Sequence, residues 1–396
     1  MEVFLMEKFV TYEERTWIPQ ESLFYVSQRE RQNVMMKYES AVLADLSKCD
    51  VDFDSSTHKL IQDTIEELSK VDGFLKNKSV FFPMLLLRTE ALSSSQIEHY
   101  HSSNRNIALA QLKYRDNAQA NIISANLNTL VQALYQTKTI ELQDIKDIHL
   151  ALLIHSDPEQ AGKIREVPNW IGKSALSPQG ADYVPPHPSL LPKYLDQFLA
   201  FLQRTDLHPL VKAAFSHAYF ESIHPFADGN GRTGRVLIQM ILHQSSFLEN
   251  LHIPISVGLM KDTNRYVQAL AAFREGDYQP IVEQVCLAAL NVIPKVYSAL
   301  ANIESIKDDW EKTIAARNDA FVWVILDEII AQPVLDVTYL VKKYQMNDQA
   351  VRNNIDILVH AGVLTKMNQS SKRNVVFEAK AILKILDTFV GEFSSK

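Results

Sequence analysis

The run His224-Pro-Phe-Ala-Asp228-Gly229-Asn230-Gly231-Arg232-Thr233-Gly234-Arg235 gathers a histidine, a carboxylate, glycines and two arginines into one unbroken stretch. Gly229, Asn230 and Gly231 permit backbone conformations that other residues resist, so successive amides can turn inward as an anion nest. The nest opens a helix running into Val236, where free amides and the helix dipole favour a phosphate. Arg232 and Arg235 are three apart, nearly on one face of that helix, and both can reach a polyphosphate. Asp228 is a hard oxygen ligand suited to Mg2+ that bridges phosphates. His224, fixed by Pro225, has the chemistry of a general base for an attacking hydroxyl. Singly, His-Pro is a turn and the glycine-rich piece a solvated helix end. Their unbroken order describes a phosphoryl- or nucleotidyl-transfer site that uses a metal–nucleotide.

Two apolar helices must hold this loop. Leu210, Val211, Ala214, Phe215, Ala218 and Tyr219 recur at helical spacing upstream, and Val236, Leu237, Met240 and Ile241 downstream. The first 85 residues read as a helical region with polar joins. Ser95-Gln-Ile-Glu98 fits a capping box at a helix start. Residues 162–187 are rich in breakers and predict an irregular flap or short β-hairpin, the one non-helical part of the middle domain. A last unit, residues 305–396, predicts helix–turn–helix followed by a hairpin with a basic tip at Lys372 and Arg373, the winged-helix pattern. The fold class is therefore mainly α.

The chain has 396 residues, too many for one small core, and a net charge of −7 that advertises neither nucleic acid nor an anionic membrane. Cys49 and Cys286 lie far apart, which argues against a disulfide framework or a cysteine-based zinc site. No signal peptide is evident, and no run approaches the roughly 20 apolar residues a membrane helix requires. These features predict a cytoplasmic protein with no membrane partner.

Residues 224–235 resemble the motif of the Fic (filamentation induced by cAMP) family, HPFx[D/E]GN[G/K]RxxR, with every specified position matched. The likeness extends over roughly residues 86–290, within a domain expected at 86–300, and Trp170-Ile171-Gly172 resembles part of the family's target-docking flap. The resemblance implies a mostly helical fold and transfer of AMP from ATP to a Ser, Thr or Tyr hydroxyl of a target protein, the enzyme itself included. It makes His224 the base and Asp228 the Mg2+ ligand. Asp228, Gly229, Asn230, Gly231, Arg232, Thr233, Gly234 and Arg235 then bind the nucleotide. Glycine at 231, where a kinase-like branch carries lysine, favours nucleotidyl over phosphoryl transfer. Tyr266 resembles an aromatic of the adenine pocket, and a plain core position accounts for it equally well.

Ser94-Ser-Gln-Ile-Glu98, at about residues 93–100, resembles the family's inhibitory helix, [S/T]xxxE[G/N]N, with His99 and Tyr100 departing from it. The resemblance implies that Glu98 pairs with Arg235 through a bidentate contact and takes the place of the ATP γ-phosphate. Such a glutamate can also orient water for the reverse reaction, removal of AMP. Association into a homodimer is a further implication. The competing class is a DNA-binding regulator acting through the C-terminal unit. Its recognition helix, Gln349 to His360, offers only Arg352 as a cation beside Asp348 and Asp356, which disfavours DNA as a partner.

Overall fold

The computed structural model describes residues 8–17, 37–76, 78, 81–114, 117–135, 139–172, 177–367 and 375–391. Its first element corrects the all-helical reading of residues 1–85. β1 (Val10–Thr16) and β2 (Lys37–Leu43) pair antiparallel, from Val10 opposite Leu43 to Thr16 opposite Lys37. Glu13, Glu14 and Arg15 crowd β1 with charge, and its partner lies beyond residues 17–36, so neither alternation nor a short turn marks the pair.

α1 (Ser55–Leu75) starts where the Asp54 side chain accepts from the Thr57 amide. α2 (Phe82–Ile97) carries Pro83 in its first turn, where a missing N–H is harmless. This helix overturns the capping-box reading of Ser95 and Glu98: it ends there, with Glu98 as its C-cap. Ser93 and Ser95 donate to the carbonyls of Thr89 and Ala91, which lets a serine run stay helical and buried. His99 follows in the left-handed region at φ 63°. The amides of His99 and Tyr100 bond back to the Gln96 and Ser95 carbonyls, a Schellman closure whose left-handed position glycine or asparagine fills most easily.

α3 (Asn104–Gln111), α4 (Ala118–Leu134) and α5 (Leu142–Leu153) come next. The stretch 162–187 is irregular as expected, but its hairpin reduces to one bridge between Ile171 and Tyr183, and residues 173–176 fall outside the described residues. The Ala41 amide of β2 donates to the Val184 carbonyl, so the N-terminal hairpin backs the flap. α6 (Leu191–Leu202), α7 (Pro209–Ile223), α8 (Asn230–Gln244), α9 (Ile255–Leu259) and α10 (Thr263–Arg274) follow. α7 and α8 pack on each other at the centre, and from Leu210 to Ile223 every residue but Lys212 is buried. The loop joining them is therefore anchored at both ends in core.

α11 (Gln279–Thr313) runs through the boundary expected at 300–305, so the last unit continues directly from the core. It is also the one described helix long and apolar enough to cross a bilayer, contrary to the sequence reading. Half of that window is buried, and the helix packs on α1, α7, α9 and α10 as a core helix does.

The last unit comprises α12 (Phe321–Ala331), β3 (Val334–Asp336), α13 (Val337–Tyr344), α14 (Asp348–His360), β4 (Thr365–Lys366), β5 (Val376–Glu378) and α15 (Lys380–Gly391). Its sheet has the order β3–β5–β4 with both pairings antiparallel. The expected wing tip, Lys372 and Arg373, lies outside the described residues. This unit docks on α2 and α3. The fully buried Arg88 donates through Nη2 to the Ala331 carbonyl and to Gln332 and Gln111. Asn104 donates to Asp387, Tyr114 to Asp336, and Arg105 pairs with Glu378. Val390 of α15 shares a cluster with Leu92 and Ile107, against which Tyr100 packs.

Candidate active site

His224 ends α7 in the left-handed region, at φ 49° and ψ 60°. That conformation costs a non-glycine residue about 1–3 kcal/mol and persists where surroundings over-determine it. Here they do: its amide bonds to the Phe220 carbonyl, while its own carbonyl accepts from Arg165 Nε at 2.8 Å. Arg165 also donates to the Val167 and Pro186 carbonyls, tying the flap to the loop. Asn169 adds a bond to the Phe226 carbonyl, and Tyr183 one to the Ser222 carbonyl. Burial, then Arg165 and Arg274, pushes the His224 imidazole down to about 3, so it is neutral at physiological pH and able to accept a proton.

His149 on α5, passed over in the sequence, is a second support. Its Nδ1 accepts from the Gly162 amide, so its Nε2 carries the proton and donates to the Asp228 carbonyl at 2.9 Å. The ring stacks on Phe226 with centroids 3.6 Å apart. Gly229 turns at φ 76° directly above it, and a β-carbon there would strike Leu153 and His149.

Asn230 spends its side chain on the loop, accepting from the Phe226 amide and donating to the Phe226 carbonyl. Thr233 donates its hydroxyl to the Gly229 carbonyl, and Gly234 lets α8 press against His217. The hydroxyl of Thr233 and the missing side chain of Gly234 thus serve packing within the loop and helix. No side chain caps α8, so its first amides are available to an anion.

Arg232 is buried, and none of its guanidinium nitrogens has a hydrogen-bond partner among the described residues. Its Nη2 is 3.5 Å from an Asp228 oxygen, and Tyr100 lies under its plane at 4.9 Å. A buried guanidinium without acceptors suits an incoming anion. The Asp228 side chain is 63% exposed. Among the described residues no three His, Cys, Asp or Glu gather to hold a metal unaided. One open carboxylate beside an anion nest fits Mg2+ shared with substrate phosphates and water.

Arg235 is buried and fully engaged. Its Nε donates to Ser94 Oγ, and its Nη2 to the Ser94 carbonyl and to Glu98 Oε1, each at 2.8 Å. The contact of Glu98 is single, not bidentate: Ser94 takes the other edge. Burial opposes the arginine's charge, but Glu98, Tyr266 and Glu221 outweigh it and raise its pKa. Tyr266 is buried with its hydroxyl 2.6 Å from His217 Nε2 and within reach of the charges of Arg235, Glu221 and Glu98. Trp170 leans edge-on against Trp17, and Ile171 pairs its backbone with Tyr183. Gly172 takes φ 148°, where a β-carbon would press on Ala181 and Asp182.

The geometry has counterparts. Residues 139–242 match the Fic/DOC family. A protein adenylyltransferase Fic of Nematostella vectensis is 34% identical over 161 residues, 40% of this chain and 34% of that protein. One of Aedes aegypti is 32% identical over 146 residues, 36% of this chain and 26% of its own length. The chain thus spans about a third or less of the relatives it matches. A crystal structure of a Fic family protein from Desulfovibrio desulfuricans G20 shares the fold at 19% identity and a TM-score of 0.52, covering 83% of this chain and 97% of that one. Residues 139–242, which hold the loop, therefore correspond to a Fic/DOC-family domain.

Proposed function

We propose that this protein transfers AMP from ATP to a Ser, Thr or Tyr hydroxyl of a target protein and that Glu98 restrains it. The observation that carries the reading is the loop itself. A neutral histidine, an open carboxylate and an acceptor-free arginine converge on the bare N-terminus of α8. In this reading His224 takes the hydroxyl proton as the oxygen attacks the α-phosphorus and pyrophosphate leaves. The first amides of α8, with Arg232 and Arg235, hold the phosphates. Asp228 would hold Mg2+, which supplies charge neutralisation on the phosphates. Trp170 and Ile171 border the face on which a target segment aligns.

Glu98 blocks this arrangement by occupying Arg235 and placing negative charge where a terminal phosphate would lie. Released, it also stands where it could orient water for AMP removal. The test is mass spectrometry of the Glu98→Gly protein incubated with ATP, Mg2+ and lysate, with Glu98→Gly/His224→Ala as control. Proteins gaining the mass of AMP support the reading; a gain of phosphate, or none beyond the control, overturns it.

A DNA-binding role finds no support. On α14, Arg352 is already paired with Asp348, Nε to Oδ1 at 2.6 Å. The helix offers no other arginine or lysine between Asp348 and His360.

A further inference from the structure

Three residues before His224, α7 carries a carboxylate in the middle of core. Glu221 is buried among neighbours such as Phe220 and Ile223. Its Oε2 lies 3.7 Å from His224 Nδ1, whose other neighbouring acceptor is the Glu221 backbone carbonyl, and its Oε1 has no hydrogen-bond partner among the described residues. A buried carboxylate without donors destabilises the fold, and an apolar residue would pack there at less cost. Its position against Nδ1 leaves Nε2 for a reacting hydroxyl and suggests a use.

We propose that Glu221 is the positioning residue of the proton transfer: ionised, it accepts from His224 Nδ1–H, holds the tautomer whose Nε2 lone pair is free, and stabilises the imidazolium that follows. The inference rests on the AMP-transfer reading. In the step itself, the hydroxyl O–H bond breaks and its electron pair forms the new bond from oxygen to the α-phosphorus. The proton passes to Nε2, and the α–β bridging P–O bond breaks with its pair leaving on pyrophosphate. The imidazolium so formed lies near Arg165 of the flap and Arg274 of α10, both of which oppose a further positive charge. Glu221 supplies the compensating negative charge, as the buried carboxylate of a catalytic triad does.

Charged groups on four sides set when Glu221 is ionised. Burial and then Glu98 at the end of α2 raise its pKa to about 7, against the pull of Arg235 on α8 and Arg274 on α10; His224 itself stands on the fourth side. A protonated Glu221 would donate to Nδ1 and leave Nε2 carrying hydrogen, the wrong tautomer for a base. Transfer should therefore rise with pH as Glu221 ionises. Removing Glu98 takes away one of the charges that raise Glu221, so in Glu98→Gly that rise moves to lower pH.

The experiment compares Glu221→Gln and Glu221→Asp in the Glu98→Gly background, together with nitrogen chemical shifts of the His224 imidazole in the otherwise unaltered protein. Expected are a kcat lower by about 100-fold in Glu221→Gln with KM for ATP within about twofold, partial recovery in Glu221→Asp, and loss of the alkaline rise from the pH profile. The imidazole shifts should inflect near pH 7 and lose that inflection in Glu221→Gln. An unchanged kcat, or imidazole shifts flat across neutrality, overturns the assignment. A Glu98→Gly protein that moves no AMP sinks only the reading of the reaction, because the imidazole titration decides the Glu221–His224 pair without turnover.

Discussion

Gly231 and Glu98 compete for one volume: a β-carbon at 231 would overlap the Glu98 carboxylate and stand 3.0 Å from Arg235 Nη1. Gly231 is helical, so its missing side chain answers to this crowding and to no backbone need. The smallest residue at 231 is thus a condition for the glutamate's resting position.

Gly231→Ala should therefore expel Glu98 while removing no polar group of the loop. ATP affinity measured by calorimetry is expected to rise by about tenfold, equivalent to about 1.4 kcal/mol, and to gain little more when Glu98→Gly is added. An affinity equal to that of the unaltered protein would show that the carboxylate does not exclude nucleotide.

A second prediction concerns pH and stability. Glu90, fully buried on α2, accepts from the amide and hydroxyl of Ser256, yet burial raises its pKa from 4.5 to about 7. A carboxyl raised on folding contributes stability fully below its unfolded pKa and loses it as pH climbs through the folded one. Glu221 shifts the same way. Stability should thus decline between pH 4.5 and about 7 on their account. Glu90→Gln should lie near the unaltered protein at about pH 5 and exceed it at about pH 8, by up to about 3 kcal/mol. Thermal unfolding at both values checks this; a variant destabilised equally at both would mean that the Ser256 bonds dominate.

The C-terminal unit supports the helix that carries Glu98. Asp387 holds Asn104, and Val390 reaches the cluster under Tyr100, which itself lies against Arg232. Asp387→Ala and Val390→Asp should loosen α2 and raise ATP affinity severalfold, yet add nothing in the Glu98→Gly protein. Additive gains in the double variants would place their effect outside the Glu98 contact.

The loop was legible because its chemistry is contiguous: His224, Asp228 and Arg232 need no fold to become neighbours. Arg235 and Glu98 lie 137 positions apart, and only a motif linked them; the share that Ser94 takes of the guanidinium needed coordinates. His149 and Glu221 were hidden because each lies on a buried helix face that is mostly apolar, where periodicity registers the apolar neighbours instead. The serine run of α2 was misplaced at a helix start because its hydroxyls satisfy themselves on carbonyls one turn back, a local bond that composition does not reveal. The β1–β2 pair depends on a partner far along the chain, and so does the docking of the C-terminal unit on Arg88.

Glu98 hangs from the final residue of a helix whose body is held on several sides. Helix ends fray far more readily than helix bodies move, within about a microsecond. Glu98 can therefore leave Arg235 by the loosening of a single turn while the rest of the helix stays in place. In the proposed reading, a restraint held by a helix end sets a low idle rate and no true zero, and whatever holds the frayed end away from Arg235 would raise that rate.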